Sequence, residues 1–132
     1  MSALVSHPRL LDCRRVFLRN YAVDAYIGIY EREHGVTQRV LVNVDVYIPL
    51  ALSNPQQDDI GEVLDYDFIR NAVKERLAQG HVRLQETLCD DIARRMLAHP
   101  QVRAARVATE KREAYPDCEG VGVEVFHIKD SP

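Results

Sequence analysis

Lysine is scarce in this chain: of 17 basic side chains only Lys74, Lys111 and Lys129 are lysines. Basic charge is not in excess either, because 20 acidic residues leave a formal net charge of -3. That balance offers no electrostatic footprint for nucleic acid. No apolar run approaches the length needed to span a bilayer, so no membrane partner is expected. The N-terminus lacks the basic region and apolar stretch of a secretory signal. Cysteines are few, odd in number and far apart, at Cys13, Cys89 and Cys118. They form neither a disulfide framework nor a Cys-x-x-Cys motif, and a reduced, cytoplasmic protein is expected. His7, His34, His81 and His127 share no ligand spacing with them, so no metal site is expected. A glycine-rich phosphate loop is also missing; Gly120-x-Gly122 is too short a signal and reads as close backbone approach.

What is present is a strong alternation. Val40, Val42, Val44, Val46 and Ile48 point one way, while Arg39, Leu41, Asn43, Asp45 and Tyr47 point the other. A period of two with one apolar face predicts a half-buried antiparallel strand. Arg14 to Ile29 predicts an earlier strand, with an irregularity over Asn20 to Asp24 that suits a bulge. The connection between them is charged and carries Glu31, Glu33 and His34. After the polar turn around Asn54-Pro55 and Asp58-Asp59, apolar spacing predicts a helix over 66–79 capped by Asp65, with Gly80 as its stop. Leu84, Leu88, Ile92 and Met96, spaced by four, predict a second helix over 84–97 closed by Pro100. Strands follow over 102–111 and 120–128. Residues 1–13 are expected as a tail or an arm onto a neighbour, and 14–132 as a single domain of the size for one modest core.

The order strand, strand, helix, helix, strand, strand gives an α+β architecture. One four-stranded antiparallel sheet covered on one face by both helices satisfies the two apolar helix stripes. A valine-rich strand as long as Arg39 to Leu50 is a liability if it lies open at an edge. Edge-to-edge closure into a β-barrel ring is the expected remedy.

Four residues are candidates for chemistry, each with a plainer alternative. Glu33 lies in the first loop, bracketed by Gly28 and Gly35, where a solvated, charged turn is the plainer reading of the pattern alone. Tyr66 stands where loop becomes helix, a place that packing also fills. Glu86 falls in the first turn of the second helix, where the helix dipole favours a carboxylate without any function. An ionised carboxylate there also suits a ligand with adjacent N–H donors. Lys111 ends the third strand at the border of the 112–119 loop; a surface lysine is usually idle, but enclosure in a cleft would lower its pKa towards that of a useful base.

Taken in order, these pieces resemble the dihydroneopterin aldolase family. The matching residues are Ile27-Gly28-Ile29-Tyr30-Glu31-Arg32-Glu33, Gln38, Leu64-Asp65-Tyr66, Leu84-Gln85-Glu86 with Ala93, Thr109-Glu110-Lys111, and Gly120-Val121-Gly122-Val123-Glu124. They span about Arg14 to Lys129. The resemblance implies the tunnelling fold, in which four subunits close a barrel as a homo-tetramer, and two such rings commonly stack into a homo-octamer. It implies retro-aldol cleavage of 7,8-dihydroneopterin, a pterin small molecule, to 6-hydroxymethyl-7,8-dihydropterin and glycolaldehyde in folate biosynthesis. No metal, cofactor or lysine Schiff base is implied, because the pterin ring takes up the electrons. By the same resemblance Glu86 anchors the pterin, with Leu84 and Gln85 beside it. Lys111 is the base acting through an ordered water. Tyr66 stacks from an adjacent subunit and assists proton transfer, and Glu33 closes over the side chain. The sequence departs from the family pattern after Lys111, where Arg112-Glu113 replace a common proline. Arg112 beside the lysine suggests a phosphate or loop contact. That keeps a second activity in view, 2'-epimerisation of dihydroneopterin or its triphosphate. A nonenzymatic pterin-binding or structural ring is the alternative of another class.

Overall fold

A computed structural model describes residues 7–130. Four strands, β1 (Cys13–Ala25), β2 (Gln38–Pro49), β3 (Ala104–Lys111) and β4 (Val121–Ile128), form one antiparallel sheet in the order β1-β2-β3-β4. Helices α1 (Asp67–Ala78) and α2 (Gln85–Leu97) connect β2 to β3 and cover one face. The even-numbered residues from Val40 to Ile48 are fully buried beneath them. Each such aliphatic side chain removed from water contributes about 1.5–3 kcal/mol, so this row anchors the sheet to the helices.

The first strand keeps its apolar residues on that same face only because it contains a register shift between Leu18 and Tyr21. Val16 and Leu18 precede it, while Tyr21 and Val23 follow with opposite parity, and one inserted residue restores them to one side. Asn20 takes a positive φ of 53° there. Asn43 on β2 clamps the bulge, its side chain accepting from the Asn20 amide at 2.7 Å and donating to the Asn20 side chain at 3.1 Å.

Strand β1 stops at Ala25 rather than Ile29. Ile27 instead makes an isolated parallel bridge to Val82, which draws the chain away from β2 and towards the segment entering α2. The position of the valine-rich strand also needs a correction. Strand β2 is not an edge: β1 and β3 pair with it on both sides, so its backbone groups are satisfied within the sheet. The open edges are β1 and β4.

Helix α1 begins one residue later than expected, and the Asp65 side chain accepts from the Asp67 amide at 2.9 Å. It buries Ile69, Ala72 and Val73 and ends before Gly80, whose φ of 110° suits a helix stop. Helix α2 buries Leu88, Cys89, Ile92, Ala93 and Met96 over β3 and β4. Arg76 and Asp91 join the helices by an ion pair at 2.6 Å. Of the expected 1–13 tail, residues 1–6 lie outside the described residues. Pro8–Leu10 form a short 3-10 turn, with Leu10 buried against Tyr47 and Ala104.

Candidate active site

The site forms at one end of the sheet, where β2 begins and β3 ends. Val40 lies opposite Lys111, so Lys111 and Gln38 emerge side by side on the helix-covered face. The connection from β1 folds over them in a 3-10 turn, Glu31–Glu33, and delivers Glu33 between the two. Lys111 Nζ lies 2.9 Å from Glu33 Oε2, and each side chain is 14% exposed. Gln38 Nε2 donates to the same oxygen at 2.8 Å and to the Ile27 carbonyl at 2.6 Å. The Tyr30 amide donates to Glu33 Oε1 at 3.0 Å. Burial pushes the Glu33 pKa up, but the Tyr30 amide, Lys111 and Gln38 outweigh it and bring the carboxyl down to about 2.

The backbone makes room for this arrangement at Gly28. Its φ is 138°, and a methyl group there would overlap the Glu33 carboxylate. Gly28 is fixed in turn by the segment leading into α2. Its amide donates to the Val82 carbonyl at 3.0 Å, and His81 Nε2 donates to its carbonyl at 2.8 Å. The His81 ring stacks on His34 with centroids 4.1 Å apart. The turn carrying Glu33 and the start of α2 are therefore one mechanical unit.

Gln85, in the first turn of α2, is held at both ends of its amide. Thr109 Oγ1 donates to Gln85 Oε1 at 2.9 Å, and Gln85 Nε2 donates to the Val121 carbonyl at 3.3 Å. A cleft of about 510 Å³ lies over these groups. Its polar lining includes Glu33, Lys111, Gln38 and Gln85, and Ile29, Tyr30, Val36, Tyr115 and Val121 supply apolar walls. All five of those apolar side chains are exposed, so the cleft sets apolar walls beside its polar groups. A second cleft, of about 610 Å³, shares Gln38, Lys111 and Glu113 with the first and adds Asp24, Thr37 and Arg39.

Of the residues expected from sequence, the fold brings Glu33, Lys111 and Gln85 together. Lys111 borders both clefts with its amine paired to Glu33. Leu84 and Glu86 flank Gln85 but are exposed and do not line the one-subunit cleft. Tyr66 is 68% exposed at the start of α1 and lies outside the cleft as well. Arg112 does not line either cleft; its Nε is 3.4 Å from Glu110 Oε2. Sequence reasoning had not singled out Gln38 as a holder of Glu33, and it placed Tyr115 only within the 112–119 loop that faces the substrate. The parity of Gln38 with the valine row was the available signal. Among the described residues no group of three or more His, Cys, Asp or Glu side chains is placed to hold a metal ion.

Comparison with known proteins agrees with this fold. A crystal structure of dihydroneopterin aldolase from Burkholderia thailendensis, bound to guanine, is 55% identical with a TM-score of 0.88, over 96% of this chain and 99% of that one. The FolB structure from Vibrio cholerae is 26% identical with a TM-score of 0.80, over 88% of this chain and 98% of that one. A dihydroneopterin triphosphate 2'-epimerase from Pseudomonas aeruginosa is 28% identical, over 83% of this chain and 88% of its own length. The family profile of FolB, dihydroneopterin aldolase, matches residues 16–126, and the chain belongs to that family.

Proposed function

We propose that this protein is a 7,8-dihydroneopterin aldolase, an enzyme of the cytoplasm that cleaves its substrate to 6-hydroxymethyl-7,8-dihydropterin and glycolaldehyde. The observation that carries the reading is the Glu33–Lys111 pair, set at 2.9 Å in an apolar-walled slot of a chain from this family. In the reaction the 2'-hydroxyl loses its proton and becomes a carbonyl as the bond between C1' and C2' breaks. The electron pair moves into the conjugated pterin ring, and a proton delivered to C1' completes the hydroxymethyl product.

In this reading Lys111 handles the 2'-hydroxyl proton through an ordered water, and Glu33 with Gln38 holds its amine at the cleft. Glu86 anchors the pterin by accepting from the ring amide and the exocyclic amine, a bidentate match for one carboxylate. Gln85 and Leu84 set the edge of that pocket. Tyr66 reaches a site from a neighbouring subunit, which its exposure on a single subunit permits. The assembly is a ring of four chains closed through the open edges β1 and β4, working as one ring or as two stacked into an octamer. Light scattering at micromolar concentration checks the assembly, and a monomeric mass would remove it. Glu86→Ala should weaken a nonreactive pterin by about 2–5 kcal/mol, and unchanged affinity would remove the anchor.

A second reading is 2'-epimerisation of dihydroneopterin or its triphosphate, which the 28% identical Pseudomonas aeruginosa epimerase favours. Cleavage followed by re-addition to the other face of the aldehyde would serve it. Product analysis with dihydroneopterin, its triphosphate and the 2' epimer side by side separates the two. Glycolaldehyde release is expected. Epimer without glycolaldehyde would transfer the assignment to the epimerase, and no product from any of the three would overturn both.

A further inference from the structure

The loop joining β3 to β4, residues 112–120, is longer than a tight hairpin requires. It is also acidic: Arg112 is its one cation, against Glu113, Asp117 and Glu119. Arg112 approaches Glu110, a residue whose side chain leaves β3 on the face opposite to Lys111. Glu113 instead lines both clefts that meet at Lys111.

The charges around those clefts are balanced. Lys111 is matched by Glu33 at 2.9 Å and Arg39 by Asp24 at 3.0 Å. What remains is Arg32, its guanidinium 4.5 Å from the centre of the Tyr30 ring, and Glu113. A polyphosphate brings several negative charges and is ordinarily met by a cluster of guanidinium forks or a free helix N-terminus. Among the described residues no surplus of cations lines either cleft, and the N-terminal turn of α2 already carries Glu86.

We infer that Glu113 is a specificity-determining residue whose carboxylate turns away ligands with a phosphorylated side chain and admits those with a neutral hydroxyl side chain. The inference rests on the pterin reading above and adds to it the residue that makes the choice. The notion that Arg112 would welcome a phosphate is replaced by its neighbour acting in the opposite sense.

The test is a fluorescence titration of the full-length, assembled protein with neopterin and with neopterin triphosphate, oxidised forms that do not react. The unmodified protein should prefer neopterin. Glu113→Gln should shift the affinity ratio about fivefold towards the triphosphate, and Glu113→Lys about twentyfold. Both shifts should shrink in about 0.5 M salt, as repulsion between exposed charges does. An unchanged ratio in both variants, a shift indifferent to salt, or an unmodified protein that prefers the triphosphate would each overturn the role of Glu113. If the unmodified protein binds neither ligand, the pterin reading fails and the inference with it. Normal neopterin binding with an unmoved ratio removes Glu113 alone.

Discussion

Two carboxylates, Asp45 and Glu33, are each held by basic side chains at the same sheet, on opposite faces. Asp45 sits within β2 on the face away from the helices, its side chain 5% exposed. Arg15 from β1 takes Oδ1 at 2.8 Å, and Arg106 from β3 takes Oδ2 at 2.7 Å. Arg106 also reaches Glu124 on β4 at 3.0 Å, so one carboxylate ties four strands through paired side chains. Glu33 sits in a turn, and its cation, Lys111, uses one of three N–H donors on it while two clefts open beside the amine. The chemistry of attraction is the same. A cluster whose acceptors are matched on rigid neighbours holds the sheet together. A pair with donors to spare, facing space for a ligand, can do chemistry.

The sharpest way to break this comparison is to remove each carboxylate's network in turn. Asp45→Ala leaves Arg15 and Arg106 facing each other without their shared partner. Both arginine side chains are about one-third exposed, so the loss should fall near the low end for buried pairs, about 3 kcal/mol. A chemical unfolding curve of the assembled protein checks it; a change under about 1 kcal/mol would show that the cluster holds little. Lys111→Ala should do the reverse. Turnover should fall by a factor on the order of 10^2 or more, with pterin affinity within a few-fold and stability lowered by about 1 kcal/mol or less. Near-normal turnover would move the proton transfer elsewhere, with Tyr66 the first residue to test.

The sequence made the sheet and helices legible because their periods are unbroken. The valine row of β2 and the four-residue spacing from Leu88 to Met96 both lie buried where the pattern placed them. The bulge near Asn20 was legible for the opposite reason, a broken rhythm that only an inserted residue repairs. Strand order was not, because nothing in the alternation of β2 says that β3 returns to pair on its far side. The site was legible in part. Glu33 and Lys111 are 78 residues apart in sequence and meet through the β2–β3 register and a turn held by Gly28, neither of which has a linear signature. Tyr115 and Glu113 lie on a loop without periodicity, so their place in the cleft depends on tertiary structure.

Two glycines sharpen the same contrast at smaller cost. Gly28 and Gly80 both have positive φ, at 138° and 110°, so alanine is strained at either. About 1–3 kcal/mol of lost stability is expected for each. Only Gly28 has the Glu33 carboxylate where a methyl would go; at Gly80 nothing lies within 4 Å. Gly28→Ala should therefore displace Glu33 and reduce turnover several-fold beyond its effect on stability. Gly80→Ala should keep its turnover when assayed well below its unfolding temperature. Equal losses of turnover in both would mean that backbone strain alone, not the placing of Glu33, governs the activity.

The smallest effect is the pH dependence of the Glu33 network. Its carboxyl is lowered from 4.5 to about 2 in the folded chain. A depressed folded pKa stabilises the fold above the unfolded value, and that contribution disappears as pH falls from about 4.5 towards 2. Removing both charged groups from water offsets most of the attraction, so the contribution should amount to about 1 kcal/mol. Glu33→Gln removes the titration while keeping the side-chain length. The stability difference between the two proteins should be constant above about pH 5 and shrink below it. Asp12 and Glu62 also have lowered pKa values, but they are present in both proteins and cancel in the difference. A difference that stays flat down to pH 3 would show that the amide of Tyr30, Lys111 and Gln38 do not hold the ionised form of Glu33. Its distinction from Asp45 would then lie in position alone.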